Sequence, residues 1–210
     1  MFDVGGVLID LDVQRCIASF KEDCGMERIE EFLDPCHQKG FIKDLEAGIL
    51  NEDEFYQAAL QYCRPGTTAG QVEESFCSLL AEVREDKVSL VRRLLGEYDL
   101  FLLTNNNHIT MRRTRAEFAR VGIPFETTFK NIFISCDLKL LKPGREIFDE
   151  VVRRTGYKAE EILFVDDSMT NVNGGMAAGI PSVFYDIKTS LYDTVMEALR
   201  KASSPAGTEQ

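Results

Sequence analysis

The sequence lacks the features that take a chain into membranes, to nucleic acids or through secretion. It has no run of about 18 apolar residues, the length that a membrane-spanning helix needs, and no basic-then-apolar leader opens it. Basic residues are scarce, 24 Lys and Arg against 35 Asp and Glu, so the net charge is −11. Because nucleic acids and anionic lipids attract basic faces, we expect neither of them as a partner. Without a leader or a membrane-spanning run, we expect a cytoplasmic protein. Monomer or homodimer is left undecided.

The six cysteines form no Cys-x-x-Cys pair, and five of them lie in the first 77 residues. A chain long enough to bury a large core does not need a disulfide framework. We therefore interpret them as reduced thiols that pack as small apolar groups. Cys36 and His37 are of metal-binding type, but two adjacent ligands without partners are weak evidence for a metal site.

The first part of the chain reads as a succession of helices. From about residue 13 to about residue 84, apolar residues recur at helical spacing, for example Phe55, Ala59 and Tyr62. Asn51 and Glu54 have the spacing of a capping box, which predicts a helix start. We predict no strand in this stretch.

Short apolar strands alternate with helices in the second part of the chain. They are predicted at residues 100–103, 132–134, 162–165 and 182–185. Fully apolar strands separated by helices are typical of a parallel sheet covered on both faces. We therefore predict an α/β fold, a doubly wound, Rossmann-like parallel-sheet core with an inserted all-helical cap. The expected divisions are a core at 1–12 and 86–201, a cap at 13–85 and a disordered tail at 202–210.

Polar residues stand where the predicted strands end. These residues are Asp3, Thr104, Asn105, Lys142, Asp166 and Asp167. Each has an ordinary structural explanation when taken alone, as a turn, a helix cap or a solvated loop. In open α/β sheets, however, chemistry gathers at the carboxyl ends of the strands. The joint placement of these residues therefore predicts one site.

This set of side chains suits phosphoryl transfer. Acidic side chains hold Mg²⁺, which prefers oxygen ligands. Metal and lysine together neutralise a phosphoryl group, so that an anionic nucleophile can approach it. A carboxylate then attacks phosphorus, and water hydrolyses the resulting aspartyl-phosphate. We predict a Mg²⁺-dependent phosphate-ester hydrolase with Asp3 as nucleophile and a small phosphorylated metabolite as its partner.

Four segments, in chain order, resemble the motifs of the haloacid dehalogenase (HAD) superfamily. They are FDVGGVL at residues 2–8, LLTN at 102–105, KP at 142–143 followed by EIF at 146–148, and FVDDS at 164–168 with Asn171 and GI at 179–180. The resemblance covers nearly the whole chain. It is strongest to the branch with a helical cap after the first strand and a Gly-Gly pair in the first motif. That branch includes bacterial α-glucose-1-phosphate phosphatases.

The resemblance implies a role for each matching residue. Asp3 would be the nucleophile, and Lys142 would pair with both Asp3 and the phosphoryl group. Phosphoryl binding would fall to Thr104, Asn105 and Lys142, and metal binding to Asp3, the Gly5 carbonyl, Asp167 and, beside it, Asp166.

Three departures from the family pattern leave questions open. Many family phosphatases carry a second aspartate two positions after the nucleophile as general acid and base, and here that position is Gly5. Asp10 or Asp12 could supply the proton by folding back, although a loop or helix-cap role suits both better. Because two leucines precede Lys142 where relatives often have glycine, Lys139 is a weak rival. The first strand also starts abruptly, so either the chain begins upstream or this strand is unusually short.

The helical insertion would act as a lid that excludes water and contacts the non-reacting part of the substrate. In similar proteins a turn of the cap dips into the active site, so Glu46 is expected to bind sugar hydroxyls; the alternative is a solvated helix-end acid. Only Lys39 and Lys43 are basic near this turn, which disfavours polyphosphates and favours a small sugar phosphate. His37 and His108 are isolated and read as structural or exposed, with a place at the site rim open for His108.

Two alternatives come from other classes. A 2-haloacid dehalogenase also uses an aspartate nucleophile but needs no metal, and the Asp166-Asp167 pair would then have no use. A non-catalytic protein that kept the fold would be consistent with Gly5 and the short first strand. Such a protein would be free to lose Lys142 and the aspartate pair, yet both are present.

Overall fold

The computed structural model describes residues 1–33 and 38–203. The first part of the chain contains α1 (Val13–Cys24), a 3-10 helix (Ile29–Glu31), α2 (Gly40–Glu46), α3 (Glu52–Leu60) and α4 (Ala69–Cys77). Side-chain caps start α1, α3 and α4. The Asp12 side chain accepts a hydrogen bond from the Arg15 backbone N–H at the start of α1, and Asn51 and Glu54 form the predicted capping box of α3. The helical reading of this stretch is confirmed.

The prediction of helix up to about residue 84 was wrong at its end, because residues 78–84, between α4 and residue 85, are not helical. Here the backbone pairs with the segment that leads into α1. The Asp12 N–H donates to the Leu79 carbonyl at 2.8 Å, and the Ala81 N–H donates to the Asp10 carbonyl at 2.9 Å. Leu79 and Val83 of this linker are buried in the apolar clusters of the protein, so their spacing reflects packing and not a helix.

The second part of the chain alternates helices and strands as predicted. Its elements are α5 (Glu85–Leu94), β1 (Phe101–Thr104), α6 (His108–Arg120), α7 (Phe125–Thr128), β2 (Asn131–Ile134), α8 (Ser135–Leu138), α9 (Arg145–Thr155), a 3-10 helix (Ala159–Glu161), β3 (Phe164–Asp166), α10 (Met169–Ala177), β4 (Ser182–Phe184) and α11 (Leu191–Ser203). All four predicted strands are present. The α/β fold class is confirmed.

The amino-terminal segment is the centre of the sheet. β1 pairs with β2 and β3 with β4, all parallel, and Phe2 links the two pairs through parallel bridges to Leu102 and Val165. The Phe2 N–H donates to the Phe101 carbonyl and the Asp3 N–H to the Val165 carbonyl, each at 2.9 Å. The amino-terminal segment is therefore central in the sheet, and Asp3 stands at the carboxyl edge.

Helices cover both faces of the sheet. α5, α6 and α11 pack on one face, where Val88, Phe118 and Leu191 belong to one buried cluster. α9 packs on the other face with Phe148 in a second cluster, and α1–α4 enclose a third around Phe55. Burial of each such side chain contributes roughly 1.5–3 kcal/mol. The sheet is thereby held as a rigid support for its carboxyl edge.

The carboxyl-terminal helix is longer than predicted. α11 continues to Ser203, two residues into the predicted tail, and residues 204–210 lie outside the described part of the chain. Cys36 and His37 lie outside it as well. The described cysteines, Cys16, Cys24, Cys63, Cys77 and Cys136, are free. Within residues 1–33 and 38–203, no helix has the length and apolarity needed to cross a membrane.

Candidate active site

A cavity of about 470 Å³ lies at the carboxyl edge of the sheet. Six predicted site residues line it: Asp3, Gly5, Glu46, Asn105, Lys142 and Asp167. Thr104 and Asp166 are buried at adjacent positions and do not reach its wall. A cavity of similar volume, about 480 Å³, lies beside Met1 at the opposite edge and contains none of the predicted residues. The cavity at the carboxyl edge is therefore the candidate active site.

Three carboxylates and one ammonium cluster at the floor of this cavity, with Asp166 buried just behind it. The carboxylate oxygens of Asp3, Asp166 and Asp167 include atoms that all lie within 4.8 Å of one another. The Lys142 Nζ lies 3.1 Å from Asp3 Oδ1 and 2.6 Å from Asp166 Oδ2. Lys142 is buried and also donates to the Leu103 carbonyl at 3.1 Å. One positive charge thus faces three acids.

This imbalance of charge perturbs the acids. Burial, opposed by Lys142 and reinforced by Asp166 and Asp167, raises the pKa of Asp3 to about 7. Burial and the neighbouring Asp166 raise the pKa of Asp167 to about 6. Burial alone would lower the pKa of Lys142, but Asp3 and Asp166 outweigh it and raise that pKa. The lysine is therefore a fixed cation, and the two cavity-facing acids are short of positive charge.

The two adjacent aspartates at the end of β3 have different surroundings. Asp166 accepts hydrogen bonds from the Ser168 N–H at 2.8 Å and from Asn171 Nδ2 at 3.1 and 3.2 Å, in addition to Lys142. Asp167 lies on the cavity wall. Gly6 is the close neighbour that leaves room for it, since a Cβ there would lie 2.6 Å from Asp167 Cγ. The Asp166 carboxylate is thus held by hydrogen bonds to protein groups, whereas the Asp167 carboxylate faces the cavity.

Asn105 and Lys142 are joined by a pair of reciprocal hydrogen bonds. The Asn105 Nδ2 donates to the Lys142 carbonyl, and the Lys142 backbone N–H donates to Asn105 Oδ1, each at 2.9 Å. The end of β1 therefore holds the loop that carries the lysine. A peptide in the cis form precedes Pro143 in the same loop.

The rivals considered for the lysine and the proton donor lie elsewhere. Lys139 is exposed and ends α8 with a φ of +56°. Asp10 pairs with Lys87 and, at 3.5 Å, with Arg84. Asp12 caps α1. Since none of these three candidates lines the cavity, neither the alternative lysine nor the two proposed donors reach the site.

His108 also lies away from this cavity. Its Nε2 is 2.9 Å from Asp137 Oδ1, and it lines a separate cavity of about 330 Å³ beside Gly48 and Cys136. A place for His108 at the rim of the candidate active site is therefore wrong.

Some contributors to the site had no clear signal in the sequence. Leu11 lines the cavity from the segment that leads into α1, and Gln38 and Lys43 line it from the helical part of the chain. Ser135 donates from its hydroxyl to the Glu46 carbonyl at 2.6 Å. Asn171 belongs to the fourth motif, and its position in the first turn of α10, five residues after Asp166, is the signal for its contact with that acid. The other contacts join residues that are far apart in the chain, so the sequence did not predict them.

The donor set of this edge fits a hard divalent cation. Asp3 and Asp167 offer carboxylate oxygens to the cavity, and the lining residue Gly5 has a backbone carbonyl. Oxygen ligands of this kind are those that Mg²⁺ prefers. The pKa values of both acids are raised when Lys142 is the cation beside them. A bound divalent cation would therefore stabilise the ionised forms of Asp3 and Asp167.

Comparison with known proteins identifies the family. A sequence model of the haloacid dehalogenase-like hydrolases matches residues 1–179, and the chain belongs to this family. It is 30% identical over 180 residues to D-ribitol-5-phosphate phosphatase of Bacteroides thetaiotaomicron, over 85% of this chain and 87% of that protein.

Solved structures agree with this assignment. A wild-type HAD family enzyme of B. thetaiotaomicron, in complex with magnesium and inorganic phosphate, is 28% identical with a TM-score of 0.83, covering 90% of this chain and 93% of that one. A predicted HAD-like hydrolase of Porphyromonas gingivalis is 33% identical with a TM-score of 0.85, covering 95% and 96%. A 2-haloacid dehalogenase of Pseudomonas syringae, at 17% identity and a TM-score of 0.62 over 95% and 96%, shares the fold.

Proposed function

We propose that this chain hydrolyses a small phosphate monoester, with a sugar or polyol phosphate favoured, through an aspartyl-phosphate on Asp3. At the coarser level it is a Mg²⁺-dependent phosphatase of the HAD-like hydrolase family. The family match, the similarity to a D-ribitol-5-phosphate phosphatase and the magnesium and phosphate complexes of a similar enzyme support this function. The observation that carries the mechanism is the Asp3 carboxylate on the cavity wall, 3.1 Å from the Lys142 ammonium.

The chain's own residues divide the work of phosphoryl transfer. Asp3, Asp167 and the Gly5 carbonyl would hold Mg²⁺, with Asp166 beside them, and the bound ion supplies positive charge that neutralises the phosphoryl group. Lys142 pairs with Asp3 and with the phosphoryl oxygens. Because its charge reduces repulsion between two anions, an Asp3 oxygen can approach phosphorus and displace the ester oxygen. Water then hydrolyses the aspartyl-phosphate.

Asn105 and Thr104 would bind the phosphoryl group, as the family resemblance implies. Asn105 lines the cavity and is held by its two hydrogen bonds to the Lys142 backbone. Thr104 is only 1% exposed, so its contribution would come through the backbone and through the position it gives to Asn105. This arrangement puts neutral donors and one cation around the phosphate.

The substrate class follows from the helical part of the chain. We divide the protein into a core at 1–12 and 86–201 and a cap at 13–85. Glu46 and Lys43 line the cavity from the cap side, and Glu46 would contact the sugar or polyol hydroxyls. One exposed lysine is too little positive charge for a polyphosphate. The more specific resemblance to α-glucose-1-phosphate phosphatases stays a prediction.

The test is a phosphate-release screen over sugar phosphates, polyol phosphates and other metabolite monoesters with Mg²⁺. Asp3→Asn serves as the blank, and a chelator serves as the metal control. We expect release from at least one small monoester, none from the variant and none after chelation. A fully active Asp3→Asn variant would remove the nucleophile from the mechanism. Activity on 2-haloacids that survives chelation would favour the dehalogenase alternative, and no activity at all would favour a non-catalytic protein.

A further inference from the structure

The proposed reaction needs a proton for the ester oxygen that leaves. No acidic residue occupies the position, two residues after the nucleophile, that supplies this proton in many phosphatases of the family. That position is Gly5, and the Leu11 side chain packs over it, since a Cβ at Gly5 would lie 3.3 Å from Leu11 Cδ1. Asp10 and Asp12 are engaged with Lys87 and with the start of α1. The donor must therefore come from another part of the cavity.

Three carboxyl groups of the described residues line the cavity, those of Asp3, Glu46 and Asp167. Asp3 is the nucleophile, and Asp167 belongs to the acid cluster on the same floor. Glu46 reaches the cavity from the end of α2, in the helical part of the chain. In phosphoryl transfer the nucleophile and the leaving oxygen lie roughly in line on opposite sides of phosphorus. A donor to the leaving oxygen should thus stand away from the floor, as Glu46 does.

The turn that carries Glu46 is held against α8 by a hydrogen bond and by close backbone packing. The Ser135 hydroxyl donates to the Glu46 carbonyl at 2.6 Å and accepts from the Asn106 N–H at 2.9 Å. Gly48 has a φ of +65°, and a Cβ there would overlap the Cys136 carbonyl, with Cys136 C at 3.1 Å. The turn is therefore pressed against α8, and its backbone is linked to the residues that follow β1.

The surroundings of Glu46 suit a proton donor. Its side chain is half-buried and makes no hydrogen bond or ion pair with residues in 1–33 or 38–203. The charged groups around it are Asp3 and Lys142 on the floor and Lys43 on its own helix. Burial and Asp3 raise the pKa of Glu46 to about 8, and Lys142 opposes them. Burial in the cavity thus favours the protonated form of this carboxyl group.

We propose that Glu46 is the general acid of this enzyme, an inference that rests on the phosphatase function above. As an Asp3 oxygen bonds to phosphorus, the bond between phosphorus and the ester oxygen breaks. The Glu46 carboxyl gives its proton to that oxygen, which leaves as an alcohol, and Glu46 is left as a carboxylate. Water then cleaves the aspartyl-phosphate to inorganic phosphate, and one of its protons returns to Glu46.

The test compares two esters of similar size without sugar hydroxyls. p-Nitrophenyl phosphate has a leaving group that needs no proton at neutral pH, whereas benzyl phosphate releases a strongly basic alkoxide. We measure kcat/KM, which excludes the later hydrolysis of the aspartyl-phosphate. For Glu46→Gln we expect a loss of about 100-fold or more on benzyl phosphate, the lower range for general acids, and a change below about threefold on p-nitrophenyl phosphate. Retained activity on the second ester also shows that the variant folds.

Asp44→Asn is the matched control, because Asp44 lies on the same helix but does not line the cavity. We expect it to behave as wild type on both esters. Equal losses on both esters in Glu46→Gln, or no loss on either, would overturn the proposal. So would a wild type that cleaves p-nitrophenyl phosphate but not benzyl phosphate, because no donor would then operate. If the wild type cleaves neither ester nor any monoester of the screen, the phosphatase function itself fails.

Discussion

Gly6 offers a direct test of the acid cluster. Its φ is +76°, and a Cβ there would overlap the Asp167 carboxylate, with Asp167 Cγ at 2.6 Å. The Gly6 N–H donates to the Ile9 carbonyl at 2.8 Å, which fixes the backbone of this turn. In Gly6→Ala, the Asp167 side chain would therefore be the group that moves. The substitution should displace one proposed metal ligand without removing it.

The magnitudes can be separated. An L-residue in the left-handed region costs roughly 1–2 kcal/mol, and for a chain of this size each kcal/mol lowers Tm by about 2–4 °C. Displacement of Asp167 should cost more in function. Loss of a group that merely orients a metal ligand weakens metal affinity about 10–100-fold, so displacing a ligand should cost at least as much. We expect a folded protein with greatly reduced Mg²⁺ affinity and phosphatase activity.

Gly66→Ala is the matched control, because Gly66 has a φ of +89° and no atom lies within 4 Å of its Cβ position. It shares the backbone strain but not the clash. Calorimetric titration with Mg²⁺, phosphatase rates and thermal melts of both variants make the comparison. Gly66→Ala should melt lower yet bind Mg²⁺ as wild type does. If Gly6→Ala also kept its Mg²⁺ affinity and activity, the placement of Asp167 in the metal site would be refuted.

Three further predictions follow from the same cavity. Lys142→Met should lower the free energy of unfolding by about 3–5 kcal/mol in urea titrations, because it leaves buried acids without their cation; a loss below 1 kcal/mol would contradict this. Gly48→Ala should lower kcat/KM on benzyl phosphate more than on p-nitrophenyl phosphate, because the overlapped group is backbone and the turn with Glu46 must move; equal rates would contradict it. In metal-free protein, Asp3 and Asp167 have pKa values of about 7 and about 6 against an ordinary 3.8. The folded state therefore binds more protons than the unfolded state between about pH 4 and 7, so these groups destabilise it as pH rises through that window. Chelation should accordingly lower the urea midpoint more at pH 7.5 than at pH 5, and an equal effect at both would contradict it.

Sequence alone determined which groups meet at the sheet edge. Asp3, Thr104 and Asp166 each end a short apolar stretch, with Asn105 and Asp167 next in the chain, and parallel strands bring their carboxyl ends together. Lys142 follows a short helix rather than a strand, and the structure places it at this edge beside Asp3. Local patterns were sufficient here, because a buried strand is apolar by composition and its end is marked by the first polar residue.

Tertiary structure decided what each of these groups is free to do. Asp166 and Asp167 are neighbours in the chain, yet only the packing of Asn171 and Lys142 commits Asp166 and leaves Asp167 facing the cavity. Asp10 is engaged by Lys87, 77 residues away. The Glu46 backbone is likewise held from far along the chain, by a serine 89 residues away. A periodicity within one helix or strand carries no information about such pairs, because they arise only when separate elements are packed.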